Sequence, residues 1–287
     1  MIPSSELYDR FGDEGAPPGF AAVDVAGVSC GSACDQLLAP LESLARAGQG
    51  LEARTAGDFM QEGRCHAITC FRFLGPSTGQ EPIRLGLFAG VHGDEPAGCI
   101  ALVHFLRRIV AEPVRAAGYE LLVYPLVNPT GYEDGTRCNR SGRDLNREFW
   151  RSSAEPEVRI LERELRGSAF AGVITLHADD TCEGHYGYSH GRALDDALLR
   201  PALLAAEAVL PRDRRTVIDG FTAREGVIND CFHGILSAPP EQDPRPFNLI
   251  FETPARVEVG LQVRANVAAL DAIVSAYRGL IAYAQDI

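Results

Sequence analysis

The sequence predicts an α/β protein whose mostly parallel sheet is covered by helices on both faces. Two observations carry this. Short apolar runs of strand length alternate with longer runs of helical spacing from residue 65 to the end, the order that a parallel sheet with crossover helices requires. The chain has 287 residues, of which 46% are hydrophobic, enough for one large core or two small ones. It shows no internal repeat and no clean linker, which favours one domain.

The elements follow in order. Residues 1–34 are rich in Gly, Pro and Ala and read as a loosely structured arm, leaving 35–287 as a single domain. Residues 35–47 (DQLLAPLESLARA) have the spacing of an amphipathic helix, weakened at Pro40. Strands are expected at 65–75 (CHAITCFRFLG) and 83–90 (IRLGLFAG), then a helix at 96–110 and a strand at 119–128. A long polar connection occupies 129–150. A charged helix at 155–167, a short buried strand at 172–177 (GVITLH) and further helix at 192–210 come next. A late strand at 247–253 (FNLIFET) precedes the closing helix, 259–285.

Composition removes several function classes. The formal net charge is −12, the wrong sign for a phosphate-binding face, so nucleic acid is not expected as a partner. All 27 residues counted as Lys or Arg are arginine, which excludes Schiff-base chemistry and a lysine-bearing phosphate loop. The N-terminus has neither the basic nor the apolar region of a signal peptide. No uninterrupted apolar stretch is long enough for a membrane span. The eight cysteines show no repeated CxxC spacing, so reduced thiols and a cytoplasmic location are the expectation.

The chemistry gathers at strand ends. In GVHGDEPAG (90–98) the cluster His92, Asp94, Glu95 follows one apolar strand and precedes a helix, where open α/β sheets place their ligands. His177 ends the strand GVITLH, and Glu252 lies near the end of FNLIFET. Two histidines and a carboxylate are the ligand set of a hydrolytic zinc site with its fourth position open to water. His92 and Glu95, three residues apart, reach one ion if the chain turns between them, and Gly93 eases that turn. Glu252 is the right type of residue to take a proton from water. Asp94 reads as a cap or an orienting group. Taken singly, each residue has an ordinary structural reading, and it is their joint placement at one sheet edge that points to a site.

HGDE, then NPTGYEDGTRCNRSGRDLNREF, then TLHADD, then FET resemble the zinc carboxypeptidase (M14) family and its aspartoacylase/succinylglutamate desuccinylase relatives. QEGRCHAITCFRF (61–73) also resembles the strand that precedes the metal loop in carboxypeptidases. The resemblance implies an eight-stranded mixed sheet between helices, and one zinc ion held by His92, Glu95 and His177. It implies Glu252 as the general base that later hands the proton to the leaving amine. It implies that Arg147, beside Asn146, binds a substrate carboxylate with its planar fork. Arg137 resembles the arginine that polarises the scissile carbonyl, with Arg140 as the alternative. Asp144 matches the acid that orients a metal-binding histidine. Asn146 has a second reading, as a side chain pinning a turn.

The departures are equally specific. The family's digestive members carry a tyrosine about twenty residues before the catalytic glutamate, whereas no tyrosine occurs here between Tyr188 and Tyr277. Phe232 and His233 occupy that neighbourhood without matching its role, and residues 232–246 read as a pocket wall. Of the acids in and beside this stretch, Asp230, Glu241 and Asp243 are candidates for a basic-side-chain specificity in number only. His185 and His190, after the third ligand, read as surface histidines in preference to lining the pocket or approaching a second metal. The expected function is a metallocarboxypeptidase cleaving an amide beside a free carboxylate in a peptide. The alternative is a deacylase of N-acyl amino acids, against which stand the longer loop before DLNR and a tail of only about 35 residues after Glu252. A non-catalytic binding member is the third reading, with all four metal-site residues present speaking against it.

Overall fold

The computed structural model describes residues 32–189 and 193–285. Its helices are α1 (Ala33–Arg46), α2 (Pro96–Ala111), α3 (Pro129–Asp134), α4 (Pro156–Ser168), α5 (Ala193–Ala206) and α6 (Val259–Gln285). Its strands are β1 (Leu51–Gln61), β2 (Arg64–Leu74), β3 (Ile83–Ala89), β4 (Tyr119–Tyr124), β5 (Gly172–Asp179), β6 (Tyr186–Tyr188), β7 (Val217–Ile218), β8 (Phe221–Arg224), β9 (Val227–Ile228) and β10 (Phe247–Pro254). They form one mixed sheet in the order β1-β2-β4-β3-β5-β10-β6-β9-β8-β7. The central strands β4, β3, β5 and β10 run parallel, because helical crossovers bring the chain back to start each strand at the same end. Antiparallel pairs flank them through β2 and β1 on one side and β6 on the other.

Helices cover both faces, as expected. On one face Leu85, Leu87 and Leu176 pack with Leu41 of α1, Phe105 of α2, Leu203 of α5 and Leu270 of α6. On the other, Phe88, Tyr124 and Val173 pack with Val158, Leu161 and Leu165 of α4. Strands sandwiched in this way are apolar on both sides, which is why IRLGLFA and GVITLH are mostly apolar, the exception in IRLGLFA being Arg84 near the strand's start, which pairs with Glu120. A third cluster gathers Tyr186, Tyr188, Ile228, Ile235 and Ile250 beneath β6 to β9. By length and composition α6 is apolar enough to cross a membrane, yet its Val263, Leu270 and Ile273 are buried in the first cluster.

Several expectations are corrected. The sheet has ten strands, not eight. Among those unread, β7 and β9 have two residues and β6 three, too few to show a period. The strand read at 65–75 is the second arm of a hairpin. Its partner β1 was hidden because most of LEARTAGDFMQ is exposed, with only Leu51, Ala56 and Phe59 buried. The polar connection after β4 contains α3 and a 3₁₀ turn, Leu145–Arg147. Residues 1–31 of the arm read at 1–34 lie outside the described residues, while Ala33 and Cys34 already belong to α1, capped by Ser32. His185 is not a surface residue: it is fully buried, stacked on Phe251, with Nε2 2.9 Å from the Leu203 carbonyl. His190 lies outside the described residues.

Leu161 is fully buried between α4 and the sheet. Leu161→Ala is expected to cost about 2–5 kcal/mol, seen as a lower urea midpoint at unchanged slope.

Candidate functional site

The site is built where β3 ends. Gly90 leaves the strand and the loop to Glu95 folds back against the chain after β4. Asn128 bonds it twice, from its backbone N–H to the Gly90 carbonyl at 2.9 Å and from Nδ2 to the Val91 carbonyl at 3.1 Å. Gly93 has a stricter reason than ease of turning. A Cβ there would lie 1.9 Å from the Gly131 carbonyl carbon and 2.2 Å from the Tyr132 nitrogen of α3. The loop at 90–95 and α3 therefore touch backbone to backbone. Pro96 occupies the first position of α2, where its missing N–H costs nothing.

His92, Glu95 and His177 come together, their ligand atoms all within 4.8 Å of one another and all three buried. His92 Nδ1 lies 2.6 Å from Glu95 Oε1 and His177 Nδ1 3.0 Å from Glu95 Oε2. The backbone N–H of Ala178 donates to Oε2 at 3.0 Å, fixing the carboxylate across the gap between α2 and β5. On its far side His92 presents Nε2 to Asp144 Oδ1 at 3.1 Å. A proton shared there leaves Nδ1 as an acceptor, the tautomer a metal ligand needs.

The electrostatics favour a cation at this point. Burial pushes the Glu95 carboxyl up, but the two imidazoles outweigh it and hold it down at about 2. Burial keeps the His177 ring below its ordinary value, in the neutral form that coordinates metal. Burial also opposes charge on His92, but Glu95 and Asp144 raise its proton affinity overall. Asp144 is held well below the usual carboxylate range despite its burial, chiefly by His92 and then by Arg137. Two ring nitrogens and a carboxylate converging in a buried, acid-rich corner fit a divalent ion of the hydrolytic type.

Glu252 stands beside this centre by sheet register. It is opposite His177 on β5 and opposite Tyr186 on β6, and paired residues share a face. Burial first, then the like charges of Glu95, Asp179 and Asp219, raise its pKa well above the ordinary value. Tyr186 donates to Asp179 at 3.1 Å and Tyr188 to Asp219 at 2.6 Å. This pair of tyrosines was not assigned from the sequence. Its signal was the alternation in HYGY (185–188), which begins eight residues after His177.

The arginines separate cleanly. Arg137 sits 3.5 Å from Glu95 and 3.2 Å from Asp144. Arg140 is bonded instead to Asp134 and Glu133, so only Arg137 of the two stands against the metal-site acids. Arg147 and Asn146 lie on the 3₁₀ turn that Asp144 caps. Asn146 Oδ1 accepts from the Leu236 N–H at 2.9 Å, so its side chain pins the 232–238 segment as in the second reading above. Asp94 is exposed and α2 has no side-chain cap. Glu241 is bonded to Arg166 on the outer surface and Asp230 to its neighbour's backbone.

Comparison with known proteins follows the same lines. The family model of the succinylglutamate desuccinylase/aspartoacylase catalytic domain matches residues 82–187, a span holding every residue named above as ligand or arginine. No curated protein matches the chain by sequence. A protein from Shewanella denitrificans, provisionally described as a metallopeptidase, has 24% identity over 85% of this chain and 90% of its own, with a TM-score of 0.71. A metallo-carboxypeptidase from Burkholderia cenocepacia has 16% identity over 86% of this chain and 69% of its own, with a TM-score of 0.65. Another, from Pseudomonas aeruginosa, has 19% identity over 83% and 67%, with a TM-score of 0.57. The fold is that of the metallo-carboxypeptidase-like structures, and of the motifs that carry the resemblance HGDE, DLNR and TLH fall within the residues the family model matches, while FET lies beyond them.

Asp144→Asn is expected to weaken metal affinity roughly 10- to 100-fold, because the His92 tautomer loses its charged partner. Chelator competition with a fluorescent metal indicator reads this directly.

Proposed function

We propose that this chain is a metal-dependent hydrolase that cleaves an amide bond beside a free carboxylate, most readily as a metallocarboxypeptidase acting on peptides. The observation that carries the proposal is the sheet row that sets Glu252 next to His177, with Glu95 and His92 closing the ligand set. The donor set suits one zinc ion. When bound, that ion supplies Lewis acidity toward a carbonyl oxygen and acidifies water. The chain's own residues do the rest. Glu252 holds and moves the proton, Arg137 offers its guanidinium to the developing oxyanion, and Arg147 takes the substrate carboxylate.

The deacylase reading has its own support in the family model over residues 82–187. Both reactions use the same metal ligands and base and differ in what flanks the scissile amide. A product screen separates them. Purified protein with and without chelator is given peptides and N-acyl amino acids, and products are read by mass spectrometry. Chelator-sensitive loss of single C-terminal residues establishes the peptidase. Release of acyl groups with peptides untouched establishes the deacylase, and no chelator-sensitive product overturns both.

Glu252→Gln is expected to lower kcat by at least about 100-fold, the lower range of a general base, while metal content is retained. The pH profile carries a signed expectation. A base works only when deprotonated, so activity falls as pH drops through the pKa of Glu252. Asp219 raises that pKa, so Asp219→Asn moves the acid limb of kcat/KM to lower pH. An unmoved limb, with the variant folded, removes Glu252 as the titrating group.

A further inference from the structure

Arg147 is partly buried, and among the described residues it makes no ion pair within 4.0 Å, although its charge helps to lower the Asp144 carboxyl. Its guanidinium is nevertheless held in place. Nη1 donates to the Asn146 carbonyl at 2.8 Å, and Cζ lies 4.2 Å from the centroid of the Phe232 ring. That ring is itself braced, edge to face, by Phe221 at 4.8 Å, and Phe221 in turn meets Tyr188 at 6.0 Å. The backbone under Phe232 is strapped to the turn that carries Arg147. Phe149 N–H donates to the Gly234 carbonyl at 3.0 Å and Leu236 N–H to Asn146 Oδ1 at 2.9 Å. Gly234 sits so close that a Cβ would lie 2.3 Å from the Arg147 carbonyl oxygen.

A guanidinium stacked on an aromatic ring keeps its N–H donors in its own plane, clear of the ring. The face is used by the π cloud and one edge by Asn146, while the remaining edge is left for a planar acceptor. The ring also removes the rotamer freedom that a long side chain otherwise gives up on binding.

We propose that Phe232 is a positioning residue for the substrate carboxylate, its ring holding Arg147 with the unpaired edge of the guanidinium presented for a two-point bond. The proposal rests on the reading of Arg147 as the carboxylate clamp. It accounts for a phenylalanine in a stretch where the family resemblance leads one to look for a tyrosine. The ring here acts on the arginine, not on the substrate.

The test compares hippuryl-phenylalanine with its C-terminal amide, and N-acetyl-phenylalanine with its amide, for the wild type and for Phe232→Leu, Phe232→Met and Phe232→Tyr. Thermal melting verifies that each variant is folded, and Met keeps close to the original volume if Leu does not fold. For the acid substrates Leu and Met are expected to raise KM about tenfold with kcat within about twofold, leaving the amides unchanged. Tyr, which keeps the ring face, restores the wild-type KM. Folded Leu and Met variants with unchanged acid-over-amide preference overturn the proposal while the carboxylate-directed reading stands. A wild type that shows no preference for the acids, or cleaves none of the four, overturns that reading and this inference with it.

Discussion

A carboxylate with 7% of its surface exposed has to be held by something, and Glu95 is held by two imidazoles and one backbone N–H. Burial alone would drive such a group to take up a proton. Here the rings on either side keep it ionised, and its two oxygens fix the distance between α2 and β5. Around this contact the other charges arrange themselves: Asp144 behind His92, Arg137 against both acids, and Glu252 one strand further along. A divalent ion placed among them would take over from the rings as the carboxylate's partner. The same groups that stabilise the corner would then serve as its ligands.

The second organising element is the turn after Asp144. In four residues it supplies the acid that orients His92, the amide that pins the 232–238 segment and the arginine that lies under Phe232. Segments roughly 90 residues apart are joined there by three contacts, two of them through the backbone. The wall of the site is thus fixed to the same turn that orients His92. Displacing either shifts both, so this polar stretch is tied down at α3 and at the 3₁₀ turn, although most of it has no regular secondary structure.

What was legible in the sequence was the chemistry at strand ends. HGDE after IRLGLFAG, and TLH and FET closing their strands, point to a site because three polar clusters gather at one sheet edge, although each residue alone has an ordinary structural reading. The helices were legible from spacing, although α5 ends at Ala206, short of the expected 210. What was not legible depends on partners distant along the chain. β6, β7 and β9 are too short to carry a period, and β1 buries only Leu51, Ala56 and Phe59. Whether Arg137 or Arg140 faces the acids follows from Asp134 and Glu133 being in reach of Arg140, which no spacing rule states. His185 looked like a surface residue because a single histidine beside a tyrosine gives no hint of the Leu203 carbonyl that receives it.

The register of β10 has a consequence for how the protein matures. His177 and Glu252 face one another only when β5 and β10 pair residue for residue, and a slip of one residue would turn Glu252 to the opposite side of the sheet. Glu95 and His177 are themselves 82 residues apart, so nothing local assembles the centre ahead of the sheet. Contacts of such long range form late and slowly. A chain that has collapsed with a misaligned strand would keep much of its helix and its buried surface but have no working centre. Any metal uptake at this centre would therefore report on strand alignment, and more exactingly than a spectroscopic measure of secondary structure.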